Sequence, residues 1–210
     1  MLLRYQVVML CAVACALSGC RVSLVDIPPQ TLEVRYFELP LPDAGPGRPP
    51  AWYNDRVLII EPFLTADAYD TRFYTSLGTG EVQPEDTNRW IQEPGRLLSD
   101  AFHQGLVGTE LFGHVLDARS GGRGDLVLEG KVMQFSKALS PTSPHGQAVL
   151  RVALSVRAKE SSSIGGALWK KAIAVNHDLN AQTPDAFVAA MSANVEAVLA
   201  AFLNDLSQVQ

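Results

Sequence analysis

Gln147-Ala148-Val149-Leu150-Arg151-Val152-Ala153-Leu154-Ser155-Val156-Arg157-Ala158-Lys159 has the clearest two-residue period in the chain. Ala148, Leu150, Val152, Leu154, Val156 and Ala158 fall on one side. Arg151, Ser155, Arg157 and Lys159 fall on the other. Successive side chains of an extended backbone point to opposite faces, so the stretch predicts a long strand in a sheet with one buried and one wetter face.

Working outward from it, Asp125 to Lys137 reads as a second long strand, joined to the first by a Pro/Ser loop. On the other side, Ser161 to Gly166 turns the chain and Ala167 to Leu179 returns as a third. Thr183-Pro184-Asp185 then opens a helix, with Thr183 as N-cap, Pro184 in the first helical position and Asp185 favourable to the helix dipole. Phe187, Met191, Val195, Val198, Phe202 and Leu206 recur at helical spacing behind it, which lays this helix along the buried face of the sheet. Upstream, Leu97, Leu98, Ala101, Phe102 and Leu106 mark another helix over Pro94 to Val107, stopped at Gly108. Strands are expected at Thr31 to Leu39, Val57 to Ile60 and Thr71 to Leu77. A short extended piece is expected around Val82, after the turn Gly78-Thr79-Gly80, and another at Val115-Leu116. Strands, helix, strands, helix is the order of an α+β fold. We expect a mixed, mostly antiparallel sheet with two main helices packed on one face.

The chain begins differently. Arg4 precedes an apolar run, Val7 to Leu17, too short to span a bilayer at about 20 residues. Leu17-Ser18-Gly19-Cys20 follows, which fits a bacterial lipobox: an aliphatic residue, two small residues and the cysteine that is acylated. Residues 1–19 are therefore expected to be a lipoprotein signal peptide, 20–30 an acylated tether, and 31–210 a single domain. Lipidation falls on Cys20. Sorting falls on Arg21, because Asp at that position is what retains lipoproteins at the inner membrane of enteric-type bacteria. No C-terminal membrane helix is expected. Pro40 to Pro50, rich in proline and glycine, reads as a loop or semi-rigid linker.

Composition narrows the chemistry. Apolar residues make up 47% and charged residues 19%, which suits a packed core. Cys11 and Cys15 would leave with the signal and Cys20 would be acylated, so no thiol remains for catalysis, a disulfide or a thiolate metal site. A formal net charge of −5 without a basic tract argues against nucleic acid as a partner. His103, His114, His145 and His177 make no metal-ligand spacing, and no G-x-S-x-G elbow occurs. Gly78-Thr79-Gly80 and Gly121-Gly122-Arg123-Gly124 lack the remainder of a phosphate loop. Asp67, Asp70, Glu85 and Asp86 read as turn acids on exposed loops, and Arg123-Gly124-Asp125 as a tight turn entering a strand. No metal, cofactor or catalytic residue is expected.

Tyr69, Arg72, Phe73, Tyr74, Arg89 and Trp90 gather aromatic and arginine residues within a short span. Such residues dominate interface hot spots. Tyr69, Arg72, Arg89 and Trp90 are candidate partner-binding residues, although Trp90 fits a core position beneath the first helix as well. Phe73 reads as core.

Ala68-Tyr69-Asp70-Thr71-Arg72-Phe73-Tyr74 and Asn88-Arg89-Trp90-Ile91-Gln92-Glu93-Pro94, followed by Leu97-Leu98, resemble elements of the ABC-type transport auxiliary lipoproteins, the PqiC-like family. So do the lipobox, the strand Val34 to Leu39, the long later strands and the closing amphipathic helix. The Pro40 to Pro50 insert departs from that pattern. The resemblance implies a non-enzymatic outer-membrane lipoprotein facing the periplasm. Its implied partner is an MCE-domain periplasmic protein that carries phospholipids or other hydrophobic molecules, with an inner-membrane permease and ATPase completing the route. A homo-oligomer would suit docking to a symmetric channel. The alternative is a lipoprotein that itself holds a lipid or other apolar ligand between sheet and helix.

Overall fold

The computed structural model describes residues 32–40, 53, 55–109, 111–140, 142–159 and 166–208. The expectations for Cys20, Arg21, the Pro40 to Pro50 loop beyond Pro40 and most of the Ser161 to Gly166 turn lie outside them. From Glu33 onward these residues form one folding unit.

Its spine is the predicted hairpin. Strand β7 (Leu126–Ser140) pairs antiparallel with β8 (Ser143–Ala158), and β8 pairs antiparallel with β9 (Ala167–Asp178). The alternation holds: Ala148, Leu150, Val152, Leu154 and Val156 are each 1% exposed or less. The other edge of β7 carries three short strands in succession along its length, β2 (Val57–Ile60), β3 (Leu64–Thr65) and β4 (Arg72–Ser76), all parallel to it. Beyond β2 lies β6 (His114–Asp117), also parallel. Beyond β4 lies β5 (Val82–Trp90), antiparallel, and then β1 (Arg35–Phe37), parallel to β5. The sheet is thus mixed. Antiparallel pairing is confined to the β7–β8–β9 hairpins and β4–β5, so the expectation of a mostly antiparallel sheet is not met strand by strand. β2, β3 and β4 follow one another along β7 in a single direction, as one interrupted parallel edge.

Two strands differ from the sequence reading. The first is shorter than Thr31 to Leu39, because only Arg35–Phe37 finds a partner. The piece around Val82 is longer, running nine residues to Trp90. Its polar sequence hides no apolar period because β1 covers only Asn88 to Trp90, leaving the rest at an edge. Pro84 is tolerated on that edge. Glu85 is consequently not a loop acid: its carboxylate accepts from Lys137 Nζ at 2.6 Å, both side chains being about three-quarters buried. β8 also starts earlier than expected, at Ser143, so His145 lies in the strand and not in the Pro/Ser loop that joins the two long strands.

Helix α1 (Pro94–Val107) has the predicted bounds, with Pro94 in its first turn and Gly108 at its C-cap. Helix α2 (Pro184–Leu206) starts as expected, the Thr183 hydroxyl accepting from Ala186 N at 3.2 Å. α2 is long and apolar enough to cross a membrane, but most of its surface is inside the fold, and it serves as the core helix. It is buried on more than a sheet-facing stripe. Val188, Ala190 and Ser192 are all below 10% exposed, and the Ser192 hydroxyl donates to Pro40 O at 3.1 Å.

Both helices pack on the same face of the sheet, joined in one core. Phe102 of α1 stands between Phe63 and Phe202 of α2 at centroid distances of 5.4 and 5.6 Å, and Trp169 of β9 meets Phe202 at 5.2 Å. Gly95 lets the start of α1 close on the segment after β2: a Cβ there would run into the Phe63 carbonyl, and the Gly95 N–H donates to Thr65 Oγ1 at 2.9 Å. Asn194 of α2, fully buried, donates to Ala148 O at 2.9 Å and contacts His177 Nδ1 at 2.8 Å, tying helix, β8 and β9 together.

Candidate docking surface

The four residues singled out in the sequence lie on neighbouring elements but not on one surface. Arg72 of β4 is directly opposite Arg89 of β5, and Arg89 is opposite Tyr36 of β1. Directly paired residues project to the same side of a sheet, so Tyr36, Arg89 and Arg72 form a row across three strands. Trp90 is the next residue after Arg89 and points the other way. It is 0% exposed and meets Phe73 at 4.5 Å, Phe135 at 5.2 Å and Phe187 of α2 at 5.7 Å. Trp90 is therefore a core residue and offers nothing to a partner surface. Its indole N–H has no hydrogen-bond partner among the described residues. Phe73 is core, as expected.

The row lies on the face away from the helices. The turn before β4 braces it. Tyr69 N donates to Ala66 O at 2.9 Å, folding the loop so that the Tyr69 ring meets Tyr74 edge-on at 5.1 Å. Tyr69 is 9% exposed and so supports the surface more than it presents itself. Burial raises its hydroxyl above the ordinary tyrosine value. The Asp70 carboxylate accepts Arg72 N at 2.7 Å and the Arg72 side chain at 2.8 to 3.1 Å. Burial alone would push Asp70 up, but these Arg72 hydrogen bonds outweigh it and hold the carboxyl below its usual range. The Arg72 guanidinium also lies 5.7 Å from the centre of the Tyr74 ring. Arg72 is thus held in place by Asp70 and Tyr74.

The same face continues over the long strands. Lys131 is in register with Leu64 and Ala153, Arg151 with Gln134 and Ala174, and Lys170 with Ser155. Arg157 donates to Glu129 at 2.8 and 2.9 Å. Among the described residues, Arg89, Lys131, Arg151 and Lys170 have no acidic partner within ion-pair distance. The alternation of Gln147 to Lys159 already put Arg151 and Arg157 on this face. The strand register needed to add Lys131 and Lys170 from β7 and β9 was not legible.

A second cluster lies on the helix side. Arg119 bridges Asp117 and Asp100 of α1, beside a cleft of about 350 Å³ that Glu38, Ile91, Gln92 and His103 also line. The Arg119 hydrogen bond holds Asp117 at about 2, against an ordinary 3.8. These charges satisfy one another. No group of His, Cys, Asp and Glu suited to a metal occurs among the described residues. Arg123-Gly124-Asp125 is a structural turn: the Asp125 carboxylate accepts Val57 N at 2.9 Å, and a Cβ at Gly124 would press on Ile59.

The family model for the ABC-type transport auxiliary lipoprotein component matches residues 37–202. No curated protein sequence matches this chain. Among solved structures, a Xanthomonas campestris protein of family DUF330 is similar at a TM-score of 0.68 and 15% identity, over 80% of this chain and 92% of that one. An uncharacterized protein is similar at a TM-score of 0.63 and 15% identity, over 83% and 99%. At such identity these two likenesses concern the fold.

Proposed function

The chain belongs to the ABC-type transport auxiliary lipoprotein component family, and on that premise we propose that it is the outer-membrane docking piece of an MCE-type transport system. That family is one of accessory lipoproteins and not of enzymes. In this reading the acyl chains on Cys20 hold the domain at the periplasmic surface of the outer membrane, with Arg21 sparing it retention at the inner membrane. An MCE-domain protein reaches it from the inner membrane, where the permease and ATPase sit, and passes phospholipids or other hydrophobic molecules toward it. The domain contributes a surface and no chemistry.

The observation that carries this reading is the open sheet face with its braced Arg72, partly buried Arg89 and exposed Tyr36. Arginine next to tyrosine is the composition of interface hot spots. The alternative of a lipid held between sheet and helix finds less support. Phe187, Met191, Val195, Val198 and Phe202 fill that interface, each at 0% exposure.

The test is purification of the acylated protein from envelope membranes in mild detergent. The expected result is co-purification of an MCE-domain protein, reduced by Arg72→Ala with Arg89→Ala. Recovery of the lipoprotein without any transport component would count against the assignment. Cys20→Ser should abolish acyl labelling and release the domain from the membrane fraction.

A further inference from the structure

We propose that the helix-free face is the partner surface and that the partner surface it takes is an acidic protein surface; this rests on the accessory reading above and adds the chemistry of the contact.

The chain carries a formal net charge of −5, yet its charges are segregated. The register puts Arg89, Lys131, Arg151 and Lys170 on one face of the sheet without acidic partners among the described residues. The acids on that face are largely spent: Asp70 on Arg72 and Glu129 on Arg157, with Asp178 at the far end accepting from Gln147 at 2.7 Å. On the helix side Asp100 and Asp117 are likewise paired with Arg119, and Asp185 with Arg35, so the distinguishing feature is the set of cations on the open face that have no acid beside them. An acidic partner is therefore drawn to this face of a chain that is acidic in sum, which favours one orientation of approach.

Two alternatives fit less well. A second copy meeting this face with its own would juxtapose like charges. An anionic bilayer would complement the charge, and exposed Leu64 stands opposite Lys131, but across β8 and β9 the residues facing Lys131 and Arg151 are the small Ala153, Ala172 and Ala174. A face that inserts into lipid presents large aliphatic and Trp or Phe side chains. Arg89 and Arg151, which have no acidic partner among the described residues, suit planar, bidentate recognition of carboxylates.

The experiment uses the mature acylated protein and the MCE-domain protein of the same cell, with affinity measured in detergent. Wild type should bind, and raising salt from about 0.1 M to about 0.5 M should weaken it severalfold, since the screening length shrinks well below about 10 Å. Lys131→Glu, Arg151→Glu and Lys170→Glu together should weaken binding by about tenfold or more, with an unchanged thermal midpoint as the check on folding. Arg96→Glu, on α1, should stay within about twofold of wild type, being screened from the contact. A folded triple variant that binds like wild type, or salt-insensitive binding, overturns this inference while leaving the accessory reading in place. Absence of any wild-type complex overturns both. In a second arm, Ala174→Cys is placed in phosphatidylglycerol-containing vesicles and treated with a soluble maleimide. Labelling that is blocked only after the MCE-domain protein is added supports the proposal. Labelling already blocked by the vesicles makes the face a membrane contact and overturns it.

Discussion

Trp90 and Arg89 are adjacent in sequence and opposite in role, because a strand sends them to different faces. Truncating Trp90 to alanine removes contacts with Phe73, Phe135 and Phe187. We expect Trp90→Ala to cost about 3–5 kcal/mol in urea unfolding, whereas Arg89→Ala should stay within about 0.5 kcal/mol. Equal losses would mean that both residues are structural. The sequence alone left Trp90 open, since an aromatic beside an arginine suits an interface and a core equally well. Only the strand assignment of a run as polar as Gln83 to Asn88 separates them. Asp117 supplies a second residue-scale prediction. Arg119 holds its carboxyl at about 2 when folded, below the ordinary 3.8. The pair therefore stabilises the fold above the ordinary value, and that contribution is lost as pH falls through about 2. Partial exposure keeps it small. Urea midpoints of wild type and Asp117→Asn should differ at about pH 5 and converge near pH 2; a gap unchanged by pH would remove the ion pair from the account.

Whole elements were legible where periodicity was strong and the ends were marked. α1, α2 and the β7–β8–β9 hairpins follow from alternation, helical spacing and the Thr183-Pro184 start. The length of β5 beyond its expected start near Val82, and the parallel attachments of β2, β3 and β4, were not legible. Short strands carry little periodic signal, and their pairing is decided by which edge of β7 remains free. Gly95 shows how such a join is made. A methyl group at this position meets the backbone of Phe63, which cannot rotate away. Gly95→Ala should therefore destabilise by about 1–3 kcal/mol, against the roughly 1 kcal/mol that Ala ordinarily gains over Gly inside a helix. A stabilised variant would show that α1 is not seated on the segment after β2 as described.

At the scale of the molecule, one face of a mixed sheet is closed by two helices and the other is left open, rich in arginine and lysine, on an otherwise acidic chain. A lipoprotein is already held near its site of action, so a modest contact gains from the high local concentration that tethering provides. The row of Tyr36, Arg89 and Arg72 was partly legible: Tyr69, Arg72 and Arg89 were picked out by composition, and the structure keeps the two arginines on the open face while moving Trp90 inside. In the proposed assembly this face meets a periplasmic MCE-domain partner. Site-specific photo-crosslinking in living cells tests it most directly, with the reactive side chain placed at position 89 on the open face or at position 96 on α1. The account predicts an adduct with an MCE-domain protein from position 89 and none from position 96. Equal adducts from both positions, or none from position 89 while the protein is correctly acylated and folded, would contradict it.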